Sequence, residues 1–273
     1  MPEIITDYLP VLALLLAAGA LAGFIAGLLG VGGGIVIIPV LYMMFDLLDV
    51  GGAWRMHMAV ATSLLIIIAT NLSSVRAHNR KGGVLWPIVR DWWLALVFGS
   101  VSGMMLAKQL QSDVLVFFFV ALVVFIAVKM LLPLDGKLIA TELPKGKKRF
   151  VAPAVIGLFS TIMGIGGGSF SVPYLTLYGV AIRQAVGTAS LAGLVISVTG
   201  SFSFIIGGLG EQGLPDFSLG FIYLPAFVII APVSVLCAPL GATVAHKISH
   251  RALSVIFGLF LLSATTSMLL TVL

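Results

Sequence analysis

The chain has 273 residues, of which 60% are hydrophobic and 9% are charged, and its formal net charge is +5. Soluble domains carry about 25% charged residues, so this composition excludes an ordinary soluble enzyme or binding domain. Apolar segments and short connections use nearly all of the length and leave no stretch for a separate catalytic domain. The composition therefore predicts an integral membrane protein.

Ten apolar segments follow one another along the chain, five in each half. They cover residues 9–29, 35–48, 58–75, 92–107 and 114–132, and then 151–163, 170–180, 185–209, 217–245 and 252–273. A helix needs about 20 residues to cross a bilayer, so the shortest segments cannot cross by themselves. We predict an all-α integral membrane protein with two repeats, at 1–133 and 150–273, joined by a cytoplasmic linker at 134–149.

A glycine-rich tract interrupts the start of each repeat. The tract reads GVGGG at residues 30–34 and GIGGG at residues 164–168, and a proline follows each copy after four more residues, Pro39 and Pro173. Interrupted helices at matching places in two halves are typical of secondary transporters, in which they form the substrate site. We therefore predict a broken helical hairpin in each repeat.

The number of segments in each repeat predicts their relative orientation. Because five is an odd number, the second repeat enters the membrane from the side opposite to the first. If both termini lie outside, every lysine and arginine except Arg55 and Lys108 lies at an inner connection, as the positive-inside rule requires. This distribution predicts inverted-topology repeats with both termini outside. The basic run KGKKR at 145–149 then orients the chain beside anionic lipid headgroups, and no nucleic-acid partner is needed to explain it.

The glycine tracts are the candidate substrate site. At this depth an unsatisfied backbone amide costs several kcal/mol, and the helix that restarts after each tract has free N–H groups at the positive end of its dipole. Glycine lets an oxyanion come close to that backbone. The alternative is that the glycines only permit close packing of helices. The predicted anion-binding residues are Gly32, Gly33, Gly34, Gly166, Gly167 and Gly168.

Hydroxyl side chains lie after the second tract and at paired positions of the third segments. Neutral donors suit an anion that must also be released. The alternative is that each hydroxyl bonds to the backbone of its own helix. The predicted hydroxyl donors are Thr62, Ser63, Ser169, Ser171, Thr188 and Ser190.

Four further residues are candidates for gating or coupling. Pro39 and Pro173 are expected inside the restarted helices, where proline loosens the first turns. His57 and Arg183 begin the third segment of each repeat, so His57 could titrate and Arg183 could attract anions. The alternative for both is that they are end residues that extend towards the lipid headgroups.

Acidic residues are missing from the interior of every apolar segment. Such residues normally form proton relays or sodium sites in transporters. The sequence also has no catalytic triad, metal-ligand spacing or nucleotide motif, so we expect no enzymatic activity, no metal and no cofactor.

The two copies of G-x-G-G-G-x4-P and the paired segments AVATS and AVGTAS resemble the TauE/SafE family of membrane anion exporters, often called sulfite exporters. The resemblance covers essentially the whole chain. It implies a multi-pass protein of the bacterial inner membrane that exports sulfite or an organosulfonate such as sulfoacetate. Its partners would be the small anion and membrane lipids, and the sequence leaves a homodimer open.

Repeats that rock about a central site would give alternating access. Two other functions remain open from the sequence, a passive anion channel and a membrane-embedded enzyme that acts on a lipid or sulfur compound. The channel predicts flux that does not saturate, whereas the enzyme predicts a product of changed mass.

Overall fold

The computed structural model describes residues 2–29, 33–131, 140, 143–245 and 250–272, and these ranges hold ten α-helices, five in each half. The first five are α1 Pro2–Leu29, α2 Gly34–Leu47, α3 Arg55–Arg80, α4 Trp86–Gln109 and α5 Ser112–Leu131. The second five are α6 Val151–Ile162, α7 Gly168–Leu177, α8 Ile182–Gly208, α9 Leu224–Ala245 and α10 His250–Val272. One helix therefore corresponds to each predicted apolar segment. Half of the linker predicted at 134–149 lies outside the described residues, which include only 140 and 143–149 of it.

Three helical stretches of the described chain are long and apolar enough to cross a membrane by themselves. They are Gly52–Arg80, Ile182–Gly208 and Leu224–Gly241. Shorter apolar helices cover Leu12–Gly27, Gly34–Leu47, Ser112–Val128 and Leu261–Thr271. Large apolar side chains also face outward, as at Phe98 and Leu236, which are 70% and 74% exposed. A hydrocarbon surround explains this exposure, which would be unfavourable in water.

One small β-hairpin departs from the predicted all-α fold. Strand β1, Ser218–Leu219, pairs with strand β2, Ile222–Tyr223, in antiparallel register immediately before α9. The turn between them contains Gly220 with φ of 56°, a conformation that glycine adopts without strain. The segment predicted over 217–245 is therefore this hairpin followed by a shorter helix.

The helices pack in corresponding pairs. Helix α1 packs on α9 and α6 packs on α4, while α3 packs on α8 and α5 on α10. Glycines allow the first two contacts, because Gly23 and Gly27 of α1 face backbone carbonyls of α9, and Gly99 and Gly103 of α4 face those of α6. A methyl group at any of these four glycines would collide with the opposing backbone. Small residues thus bring helices together in a membrane, where the hydrophobic effect does not.

Helices α3 and α8 form the centre of the molecule. Every residue of α3 from Met56 to Leu64 is buried, and so is the stretch of α8 from Gly187 to Gly193. Polar side chains within these two stretches are therefore surrounded by protein. A buried polar group is costly unless it finds a partner, so each one needs an explanation.

Candidate anion-binding site

The helices that follow the two glycine tracts begin at the same position and in the same way. Helices α2 and α7 begin directly after Gly33 and Gly167, whose φ angles are 76° and 79°. In each helix the third and fourth residues donate their backbone N–H groups to the carbonyl of that glycine. Residues with a Cβ are strained in this left-handed conformation. The predicted interruptions are present, and Gly32 lies outside the described residues.

The first turn of α7 has unused donors. The N–H groups of Gly168 and Ser169 have no partner inside the helix, because they are its first two residues. Within the described chain, they also make no hydrogen bond to a backbone carbonyl of another segment. These N–H groups lie at the positive end of the helix dipole, where an anion is stabilised.

Buried polar side chains without partners surround this end of α7. Asn71 is 3% exposed, and Ser160, Ser171 and Ser197 are fully buried. The Nδ2 of Asn71 and the three hydroxyls find no hydrogen-bond partner among the residues that the structure describes, and the same holds for the partly exposed Ser169. Leaving a buried donor unpaired costs about 1–3 kcal/mol, so several of them together indicate a ligand.

Distances from the tract backbone place these side chains close together. A methyl group on Gly166 would lie 3.4 Å from Ser197 Oγ, and one on Gly167 would lie 3.7 Å from Ser160 Oγ. A methyl group on Gly193 of α8 would lie 2.8 Å from Asn71 Nδ2 and would collide with the Gly166 carbonyl oxygen. Three helices, α3, α6 and α8, therefore bring donors to one tract.

The described positions around the first tract that correspond to the serines around the second tract are apolar. Ala26, Ile35 and Ile37 occupy the positions that correspond to Ser160, Ser169 and Ser171. A methyl group on Gly34 would lie 2.6 Å from the Gly164 carbonyl oxygen, so the two tracts are in contact. This side of the first tract faces an acceptor, which an anion avoids.

A cavity of about 250 Å³ reaches this region from one end of the molecule. It lies between the C-terminal parts of α1, α3 and α9. Asn71 lines the cavity and also lies beside Gly193 of α8, which faces the second tract. Asn71 is therefore located between the cavity and the tract. The residues that line the cavity are Ala26, Gly27, Thr70, Asn71, Ser73, Ser74, Ala77, His78, Ala238 and Pro239.

Thr62 and Thr188, predicted as anion donors, each accept a backbone hydrogen bond from the other half of the chain. Tyr223 N donates to Thr62 Oγ1 over 3.0 Å, and Leu85 N donates to Thr188 Oγ1 over 3.0 Å. Tyr223 and Leu85 directly precede α9 and α4. Both threonine oxygens therefore hold the start of a helix, and their donation to an anion stays a prediction.

Two predicted serines also have protein partners. Ser63 Oγ donates to the Gly164 carbonyl over 2.9 Å, which joins α3 to the second tract. Ser190 Oγ donates to the Val186 carbonyl over 2.9 Å. Because a hydroxyl has one proton, the 2.9 Å contact between Ser190 and Ser74 is donated by Ser74, a cavity residue.

The remaining candidates have different environments. His57 is fully buried, its Nε2 lies 2.9 Å from the Ala107 carbonyl oxygen, and its ring packs against Trp54. The alternative that His57 extends to the lipid headgroups is therefore wrong, whereas Arg183 is exposed. Pro39 and Pro173 lie inside α2 and α7, as expected.

Sequence reasoning missed Asn71, Ser160 and Ser197. Asn71 and Ser197 occupy corresponding places in the third segments, nine residues after Thr62 and Thr188. That paired polarity was the signal that could have found them. It was weak, because buried serines often bond to their own helix.

Comparison with known proteins identifies the family. The family model described as Sulfite exporter TauE/SafE matches residues 15–268. A probable membrane transporter protein of Haemophilus influenzae is 35% identical over 257 residues, which cover 94% of this chain and 97% of that protein. A probable membrane transporter protein of Methanocaldococcus jannaschii is 24% identical over 264 residues, with the same coverage. No solved structure matches. The chain therefore belongs to the TauE/SafE family and is a membrane transporter.

Proposed function

We propose that this transporter exports a small sulfur-containing anion, sulfite or an organosulfonate such as sulfoacetate, from the bacterial cytoplasm across the inner membrane. One observation carries the proposal. A cavity open at one end of the molecule reaches Asn71, beside a helix N-terminus that is surrounded by buried donors without a partner among the described residues. This combination suits a dehydrated anion, because backbone N–H groups and neutral side-chain donors replace its water.

The directions of the helices support inverted repeats. Helix α9 starts beside Thr62, and its residue Ala238 shares a cavity with Asn71, so α9 runs parallel to α3. Helix α4 follows α3 after a short turn, and its residue Ala107 contacts His57 near the start of α3, so α4 runs antiparallel to α3. The corresponding helices α4 and α9 therefore run in opposite directions, as inverted repeats require.

The charges at the other end support a state that is closed outside and open to the cytoplasm. Arg55 forms an ion pair with Asp46 and lies 3.8 Å from Asp49. Lys108 Nζ lies 2.7 Å from Glu211, and it also bonds to a backbone carbonyl of α8. These are the two basic residues that the positive-inside rule leaves outside. Their pairing neutralises them and joins helices at that end, which alternating access must separate.

The orientation can be tested with single cysteines in a Cys237→Ser background. We expect positions 81 and 147 to lie in the cytoplasm, and positions 49 and 211 to lie outside, together with both termini. An impermeant maleimide applied to intact cells should therefore label Asp49→Cys and Glu211→Cys. It should label Lys81→Cys and Lys147→Cys only after the membrane is opened. Labelling of position 147 in intact cells would contradict the orientation.

Transport can be tested with purified protein in liposomes. We expect saturable uptake of labelled sulfite or sulfoacetate, and faster exchange when the same anion is present on the opposite side, because the site alternates between the two faces. Flux that rises linearly with concentration would indicate a channel instead. A change in the mass of the recovered compound would indicate an enzyme. Liposomes without protein give the background.

A further inference from the structure

We infer that the anionic group is bound on the second glycine tract alone, by the first turn of α7 together with Asn71, Ser160 and Ser197, and that this site selects an oxyanion group with one charge, such as a sulfonate, over a group with two charges, such as sulfate. The inference rests on the proposed function, because it assigns the ligands and the charge preference of the same site. None of these three side chains was expected from the sequence.

The unpartnered donors on the two sides of the tract make it a complete site. The N–H groups of Gly168 and Ser169 lie at the helix end. Ser160 of α6 lies beside Gly167, and Ser197 of α8 lies beside Gly166. Asn71 of α3 lies beside Gly193, which faces the carbonyl of Gly166. An oxyanion with three terminal oxygens could accept from all three side chains and from the helix end together. The donors that now cost free energy as unpaired groups would then be satisfied.

The described residues around the first tract do not provide an equivalent site. Alanine and isoleucine stand at the positions where serines surround the second tract, and Gly34 faces the Gly164 carbonyl. In addition, Ile67 stands at the position that corresponds to Gly193. Its Cδ1 would lie 2.7 Å from a methyl group on Gly34. The two tracts therefore begin their helices alike but differ in the polarity of the side chains around them, so the substrate lies at the second tract and not midway between the two.

The donors are all neutral, and this fixes the charge that they can hold. Asn71, Ser160 and Ser197 carry no charge, and His78 is the one ionisable side chain among the described residues that line the cavity. His78 lies two turns along α3 from Asn71, about 10 Å away along the helix axis. The cost of moving an ion out of water rises with the square of its charge. Neutral donors can therefore offset this cost for a monoanion far better than for a dianion.

The cavity beside Asn71 accepts an organic substituent. Ala26, Ala77, Ala238 and Pro239 present apolar surface there. A sulfonate group on the tract could therefore carry an alkyl group that extends into the cavity. It could also carry a carboxyalkyl group, as in sulfoacetate, whose second charge would then lie in the cavity and not on the tract. Sulfate has nearly the size and shape of methanesulfonate but bears a second charge, so this pair of anions separates charge from size.

The test measures binding of sodium methanesulfonate and sodium sulfate to the purified transporter by calorimetry at one pH and one ionic strength. We expect the parent to bind methanesulfonate at least ten-fold more tightly than sulfate. Ser160→Ala and Ser197→Ala should each weaken methanesulfonate binding by about ten-fold to a hundred-fold, since each removes a hydrogen bond to a charged group. Neither hydroxyl has a hydrogen-bond partner among the residues that the structure describes, so the thermal midpoint without ligand should not fall.

Ser100→Ala is the matched control. Ser100 is fully buried on α4, and its hydroxyl also has no partner in the described chain. This variant should bind methanesulfonate like the parent. If Ser160→Ala and Ser197→Ala also bind like the parent, or if sulfate binds as tightly as methanesulfonate, the inference is wrong while the proposed function stands. If the parent neither binds methanesulfonate nor transports sulfite or sulfoacetate, the proposed function fails as well.

Discussion

Replacement of Gly193 by alanine should reduce anion transport by more than about ten-fold while the protein still inserts into the membrane. A methyl group at this position would collide with the Gly166 carbonyl oxygen and lie 2.8 Å from Asn71 Nδ2. The obstacle is the backbone of the tract, which cannot rotate away as a side chain can. Overpacking of this kind costs about 1–3 kcal/mol. The tract must shift to relieve it, and the donors of α3, α6 and α8 then no longer meet.

The measurement is initial uptake of sulfite or sulfoacetate by liposomes with equal amounts of inserted protein. We expect a loss of more than about ten-fold, the change that corresponds to 1.4 kcal/mol. Gly207→Ala on the same helix is the control. Its nearest neighbour is the Met104 thioether at 2.8 Å, which is flexible, and alanine is the better helix former by about 1 kcal/mol. If Gly193→Ala takes up the anion as fast as the parent does, transport does not depend on the present position of the tract.

Replacement of Thr62 or Thr188 by valine should destabilise the protein by about 1–3 kcal/mol each. Valine keeps the shape of threonine but removes the oxygen that accepts the N–H of Tyr223 or Leu85. These N–H groups directly precede α9 and α4, and each would lose its acceptor inside the protein. The measurement is the midpoint of thermal unfolding in detergent. Thr62→Ser and Thr188→Ser keep the oxygen and should unfold close to the parental temperature.

The same variants distinguish the two roles of the hydroxyls. If the threonines act on the substrate, as the sequence suggested, Thr188→Val should retain parental stability and lose anion binding. If they act on the helix starts, stability should fall, and the folded fraction should still bind methanesulfonate. Parental stability in both valine variants would contradict the structural role.

Several features of the site could be predicted from the chain alone. The positions of both tracts, the prolines inside α2 and α7 and the close packing of Gly23 and Gly27 all follow from local pattern and repetition. The burial of His57 could not be predicted in this way. Its position at the end of an apolar segment fits lipid headgroups as well as a protein interior, and only the packing of Trp54 and Phe221 around it excludes the headgroups.

The partners of the polar residues were also beyond the sequence. Thr62 meets Tyr223, which is 161 residues away, and Ser63 meets Gly164, which is 101 residues away. A hydroxyl on an apolar helix can bond to its own backbone, to another helix or to a ligand, and its neighbours in sequence do not distinguish these. The choice depends on which backbone the fold brings beside it.

The sequence by itself determined that this protein is a helical membrane protein with two glycine-interrupted halves, because hydropathy, glycine spacing and repetition are properties of the chain. Only the tertiary structure decided which glycine tract the unsatisfied donors of the described chain surround. Asn71, Ser160 and Ser197 belong to three different helices, and an unpaired buried donor can be recognised only after every neighbour has been packed around it.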